Sequence, residues 1–406
     1  MLDLVTKQLD APSAKARELL TYFTEEAAEE VCRFHQSLPD YAVTPLAALH
    51  NLAGRLGVKG FYVKDESRRF GLNAFKALGG SYAVARCLAE LCALPPEAVT
   101  FDKLRGDNVR RRLAQLYNGE AMTLVTATDG NHGRGVAWTA QQLGLKSVVF
   151  MPAGTAPERL ENILALGAQA SITELNYDDA VRKARDCADA YGWLLVQDTA
   201  WDGYEKIPLA IMQGYMTLAL EAFCQLEQAG ALPTHIFLQA GVGSMAGAVT
   251  GFCANYYRRR GARLPVIIIV EPCAADCLHR TAAADDGRLH FVTGAMQSMM
   301  AGLCCGEPCS IGWEILRSYA AHYAAMTDDV AAQGMRLLGR PQSGDAAVVS
   351  GESGAAGAGC AAALLQEARY AEYRRRLGLD KDSVILCIST EGDTDKANYR
   401  RVMAGE

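Results

Sequence analysis

Two hydrophobic rhythms alternate along the 406-residue chain. Short, nearly continuous apolar runs stand at 60–63 (GFYV), 123–127 (TLVTA), 146–151 (KSVVFM), 193–198 (WLLVQD), 235–240 (HIFLQA), 265–270 (PVIIIV) and 383–389 (SVILCIS). Continuity, in place of in-and-out alternation, marks strands covered on both faces. Between them, 131–143, 157–166, 179–191, 207–229 and 245–260 read as helices, and Pro157 suits a first helical turn. Strand and helix in alternation predict an α/β protein with mostly parallel sheets. The stretch 95–120 is polar and charged and reads as a surface excursion from the sheet. The chain has no internal repeat and no low-complexity segment.

Composition narrows the function classes. Half the residues are hydrophobic, and the length suits a large core and two domains. A net charge of −6 argues against nucleic acid, which needs a basic face. The N-terminus lacks the basic-then-apolar layout of a signal peptide, and no apolar run reaches the roughly 18 residues that span a bilayer, so the expected compartment is the cytoplasm, with no membrane partner. The 13 cysteines are odd in number and include no CxxC, which fits reduced thiols. Their densest cluster, GLCCGEPC with Cys304, Cys305 and Cys309, lacks the paired knuckles of a zinc site, so no metal is expected.

In α/β folds ligands sit at the carboxyl ends of strands, so the loops there carry the chemistry. LQAGVGSMAGA (238–248) runs a strand through Gly241, Gly243 and Gly247 into a helix, a cradle for one phosphate on backbone N–H groups. As a dinucleotide fingerprint its spacing is wrong, and a ligand-free tight turn is the plain alternative. Lys76, in NAFKALGG, heads an apolar, glycine-containing helix. A lysine in such surroundings has a lowered pKa and suits Schiff-base chemistry, although most helix lysines are solvated surface residues. A reactive amine and a phosphate cradle together suggest pyridoxal phosphate.

NAFKALGG, TDGNHG, GVGSMAG and STEGD stand in the order and near the separations of the fold-type II pyridoxal-phosphate enzymes, which the chain resembles from about residue 40 onwards. Within that family the likeness is greatest to carbon–nitrogen lyases of diamino acids. The resemblance implies two domains, a larger one from 1–86 and 205–406 and a smaller one at 87–204 carrying an asparagine loop, with the active site between them and a homodimeric assembly. It implies that Lys76 holds the cofactor covalently and later moves protons, and that Asn131 donates to the cofactor's phenolic oxygen. Gly241, Val242, Gly243, Ser244 and Met245 would offer N–H groups to the phosphate, Gly241 and Gly243 most securely. Thr390, or else Ser389, would face the pyridine nitrogen with a neutral hydroxyl. A carboxylate there would keep the ring protonated; a hydroxyl does not, and this suits α,β-elimination. The expected reaction converts 2,3-diaminopropionate to pyruvate and two molecules of ammonia.

Asp129 stands where most relatives of this family have serine or threonine. The α-hydrogens of L- and D-amino acids project to opposite faces of the cofactor, so Asp129 would remove the proton that Lys76 cannot reach, or bind a cationic β-amine. A loop carboxylate satisfied by backbone N–H groups is the alternative. Asp198 would contact the distal amine of the substrate, or serve as a turn residue. His132 is expected to hold the loop by packing or hydrogen bonding, with a mechanistic role as the alternative. Glu352, in SGESGAAGAG, either lines the cofactor site or caps the following helix. Rival functions are a serine or threonine dehydratase of the same fold and, more distantly, a dinucleotide-binding oxidoreductase or regulatory protein.

Overall fold

Among the described residues, eleven strands form two sheets: β1 (Leu2–Thr6), β2 (Leu46–Ala48), β3 (Gly60–Asp65), β4 (Thr123–Ala127), β5 (Lys146–Met151), β6 (Gln169–Ile172), β7 (Leu194–Leu195), β8 (His235–Gln239), β9 (Val266–Pro272), β10 (His322–Met326) and β11 (Val384–Ser389). The structure, a computed structural model, describes residues 1–406 apart from Asp10, residues 96–98, Asp129, Gln342 and Glu406. The larger sheet has the order β1-β10-β9-β8-β11-β3-β2 and the smaller β6-β5-β4-β7. The edge strands β1 and β2 pair antiparallel with their neighbours, and the other strand pairs among the described residues are parallel. The α/β architecture expected from the apolar rhythms is the one observed.

Strand order explains where a ligand can sit. In the larger sheet β8, β9 and β10 run outward to one side while β11 and β3 lie on the other, so the order reverses between β8 and β11. In the smaller sheet it reverses between β4 and β7. Loops leaving the carboxyl ends of neighbouring strands at such a reversal diverge to opposite faces and leave a crevice. The glycine loop follows β8, Thr390 follows β11, Asn131 follows β4 and Asp198 follows β7.

Several expectations needed correcting. The run 193–198 is a strand only at Leu194–Leu195, because beyond it a side chain takes over the pairing. Gln197 accepts from Ala127 N at 3.0 Å and donates to Ala127 O at 3.1 Å. The helix expected at 207–229 is two, Lys206–Gly214 and Met216–Gln228, meeting at Tyr215. By length and composition 206–228 passes as a membrane span, yet 72% of its most apolar window is buried inside the protein. The excursion at 95–120 contains two short surface helices, Phe101–Arg105 and Asp107–Leu116, anchored by Phe101, Leu104 and Val109. Strands β1, β2, β6 and β10 gave no apolar run; β1, β2 and β6 are sheet edges, and β10 (HYAAM) is buried through small residues.

The helix Ala77–Leu91, with Lys76 at its head, is clasped at backbone distance on two sides. A Cβ on Gly214 would lie 2.5 Å from Leu78 O and 2.7 Å from Gly79 Cα. One on Gly135, in the helix Asn131–Leu143, would lie 2.9 Å from Ala77 Cα. These contacts set the position of Lys76 relative to the asparagine loop. Gly214→Ala is therefore expected to cost about 1–3 kcal/mol by overpacking, read as a lowered urea midpoint at unchanged slope. An unaltered midpoint would mean that the helices can separate freely.

Candidate active site

A cleft opens at the two strand-order reversals, where loops from both sheets meet. Lys76, Asn131, Asp198, Gly241, Val242, Gly243, Ser244, Met245 and Thr390 all line it. Asp129 lies outside the described residues.

Lys76 reaches the cleft because the chain between β3 and its helix is tethered at both ends. Phe75 N donates to Thr390 O at 3.1 Å, and Ala74 forms a β-bridge with Glu391. At the upstream end Arg69, fully buried, is bonded to Glu66 and Glu221, each at 2.8 Å, and Lys64 meets Glu221 at 2.7 Å. Four charges inside the core are tolerable only when mutually satisfied.

The Lys76 ammonium meets Asp198 Oδ2 at 2.5 Å. Asp198 is 2% exposed, and its other oxygen accepts from Tyr177 Oη at 3.2 Å and Gln197 Nε2 at 3.3 Å. Burial works against ionisation, but the charges of His132 and Lys76, with the Lys76 and Tyr177 hydrogen bonds, outweigh it and hold the carboxyl well below its usual range. His132 sits with Nδ1 3.8 Å from Asp198, and its Nε2 donates to Val196 O at 2.7 Å. A carbonyl partner fixes the proton on Nε2 and ties the asparagine loop to the end of β7.

Opposite lies the glycine loop. Gly243 has φ +94°, a backbone conformation that L side chains rarely adopt, and it is the N-cap of the helix Ser244–Arg259 without a side-chain cap bond. That helix terminus directs N–H groups and a partial positive charge at the cleft. Gly241 is needed for a different reason, since a Cβ there would stand 3.0 Å from Cys305 Sγ and 3.3 Å from Gly302 O. Ser244 Oγ donates to Asp198 O at 2.5 Å and so joins the two loops.

Of the two hydroxyl candidates, Thr390 lines the cleft and Ser389 lies behind it, bonded to Ser350 Oγ at 2.7 Å. Gln239 Nε2 donates to Ile388 O at 2.8 Å, Gly354 O at 3.2 Å and Thr390 Oγ1 at 3.0 Å. Two carbonyls on one side fix the amide nitrogen there, and since that NH₂ shares its two protons among three acceptors and cannot itself accept, the Thr390 proton is not used on Gln239 and remains for the cleft.

An amine, an amide, a capless glycine-headed helix and a donor hydroxyl around one cleft are the groups that an aldehyde-bearing, phosphorylated pyridine ring requires. The family model described as pyridoxal-phosphate dependent enzyme matches residues 38–391. The chain belongs to this family. The diaminopropionate ammonia-lyase of Escherichia coli (strain K12) is 49% identical over 381 residues, covering 94% of this chain and 92% of that protein. That of Salmonella typhimurium is 48% identical, with coverage of 95% and 93%. A crystal structure of the Escherichia coli enzyme in complex with an aminoacrylate-PLP azomethine reaction intermediate superposes with a TM-score of 0.88 at 45% identity, covering 100% of this chain and 98% of that one. Membership of the family sets aside the dinucleotide-binding alternative, and the residues present fit pyridoxal phosphate.

Sequence reasoning missed Tyr177, Gln239, Glu391 and the segment Gly302–Leu303–Cys305, all at the cleft. A polar residue closing the apolar run HIFLQ signalled Gln239, and Glu391 stood within a quoted motif; nothing in the sequence marks the others. Glu352 faces a neighbouring, larger cavity and accepts a hydrogen bond from Asn398. Burial, then the Glu391 carboxylate, push its pKa up to about 7.

In the cofactor-free protein, Asp198→Asn leaves the Lys76 ammonium beside a neutral amide and is expected to cost about 3 kcal/mol in denaturant unfolding. The wild-type carboxyl is held below its unfolded value, so its contribution is present above about pH 4 and is lost as pH falls towards the folded value. The gap between the two proteins should stay level from about pH 5 to pH 8; a gap that closes within that window would contradict the depressed carboxyl.

Proposed function

We propose that this chain is a pyridoxal-phosphate-dependent diaminopropionate ammonia-lyase that converts 2,3-diaminopropionate and water to pyruvate and two ammonia, accepting the L- and D-isomers. One observation carries the reading: 49% identity to a diaminopropionate ammonia-lyase over 94% of the chain, with the lysine, asparagine, glycine and Thr390 loops meeting at one cleft.

Pyridoxal phosphate supplies, when bound, a conjugated system that withdraws electrons from the substrate's Cα. The chain's own residues do the rest. Lys76 holds the cofactor and exchanges for the substrate amine, then takes the Cα proton on its face. Asp129 takes the proton from the opposite face, which serves the D-isomer. Asn131 donates to the phenolic oxygen, and the N–H groups of Gly241, Val242, Gly243, Ser244 and Met245 hold the phosphate. Thr390 donates to the ring nitrogen without protonating it, so electrons leave with the β-group. Asp198, already the partner of one ammonium, binds the β-ammonium and keeps it placed to depart. Aminoacrylate then hydrolyses to pyruvate and the second ammonia.

The larger domain comprises 1–86 and 205–406 and the smaller 87–204, in a cytoplasmic homodimer. This arrangement rests on the two-sheet organisation and the family resemblance.

The direct test is pyruvate and ammonia release from L- and D-2,3-diaminopropionate, serine and threonine. Activity confined to serine and threonine would make the chain a dehydratase. Lys76→Ala is expected to abolish turnover and the cofactor's visible band, and a mutant with normal activity would remove the lysine from the mechanism. For Asp129→Asn the D-isomer should lose ~10²–10⁴-fold in kcat while the L-isomer changes little. Equal losses confined to KM would make Asp129 a binding residue.

A further inference from the structure

Glu391 follows Thr390 directly in the STEGD motif at the end of β11. Its side chain is 1% exposed and lines the cleft. A carboxylate buried to that extent needs donors, and three reach it from separate parts of the chain. Ser353 N donates to Oε1 at 3.1 Å, Thr394 Oγ1 to Oε2 at 3.0 Å, and Asn131 Nδ2 to Oε2 at 2.5 Å across 260 residues of sequence. The socket is shaped for it. A Cβ on Gly351 would stand 3.2 Å from Glu391 Cγ, and one on Gly354 2.6 Å from Glu391 O. The glycines of SGESG thus make room for this residue.

The bond to Asn131 has a chemical consequence. An asparagine side chain can present either its carbonyl or its NH₂ to a neighbour, and the two ends have opposite hydrogen-bonding character. A carboxylate only accepts, so the amide nitrogen must face Glu391. Its second N–H then remains for the cleft. We propose that Glu391 is the positioning residue of the asparagine loop, fixing the Asn131 amide so that it presents an N–H to the cofactor's phenolic oxygen. The proposal rests on the reading that Asn131 contacts that oxygen. It adds a separate element: the orientation is imposed by the larger sheet, through the loop that also carries Thr390, so the groups that would meet the phenolic oxygen and the ring nitrogen are fixed by adjacent residues.

The test uses the full-length holoprotein and Glu391→Gln, which keeps the shape but puts an NH₂ in place of one of the two oxygens that together accept from three donors. Cofactor Kd by equilibrium dialysis should rise about 10-fold, as for loss of one well-placed hydrogen bond, and the pH dependence of the visible band should shift. In an Asn131→Ala background the same substitution should change Kd less than 2-fold, roughly the limit of additivity for independent sites. Equal effects in both backgrounds, or a lowered Tm with unchanged Kd and spectrum, would overturn the positioning role. If Asn131→Ala alone leaves Kd and spectrum unaltered, the asparagine contact itself is wrong and the proposal falls with it. Should Glu391→Gln fail to fold, Thr394→Val removes one anchor of the carboxylate and should raise Kd about 3-fold in the wild-type background only.

Discussion

Backbone-to-backbone packing of the helix behind Lys76 is the constraint on which the rest of this protein depends. Ala77–Leu91 touches Lys206–Gly214 through Gly79 and Gly214, and Asn131–Leu143 through Ala77 and Gly135, at separations with no space for a Cβ. One of those partners begins at Asn131 and the other starts the long apolar pair of helices in the core. Close-packed interiors do not deform continuously, so this clasp gives the lysine and the asparagine one relative position.

On that frame the polar groups are arranged so that every loop at the cleft is tied to a loop from elsewhere. Ser244 bonds to the backbone of Asp198, Phe75 to Thr390, Gln239 to Thr390 and Glu391 to Asn131. Most of these bonds are buried, where an unsatisfied partner is expensive, so each loop's position is conditional on its neighbour's. The charged cluster of Lys64, Glu66, Arg69 and Glu221 does the same for the segment that leads to Lys76. A cleft built this way is preorganised: little ordering remains to be done when a ligand arrives.

Much of this was legible beforehand, and the failures have physical causes. Strands β4 and β5 and the helix Asn131–Leu143 match their expected bounds because they are buried elements with clear flanking turns. The run 193–198 misled because Gln197, through its side chain, mimics the ladder pairing of a strand. Edge strands escaped because an element paired on one side needs no continuous apolar run. Tyr177 and the segment at 302–305 escaped because a residue that merely lies across a cleft carries no local signature.

By itself, the sequence determined the class of fold, the lysine at an apolar helix head and the glycine-headed helix, since these follow from residue chemistry and from conformations that few residues can adopt. Gly243 at positive φ and Lys76 in an apolar helix head are local facts. Tertiary structure alone decided which groups meet. That Lys76 faces Asp198 across 122 residues, that Asn131 is held by Glu391 across 260, and that Thr390 and not Ser389 turns to the cleft depend on two strand-order reversals brought together by helix packing. Periodicity shows which face of an element is buried, but the partner on that face is set by shape and by which polar groups satisfy one another, and those are properties of the assembled chain.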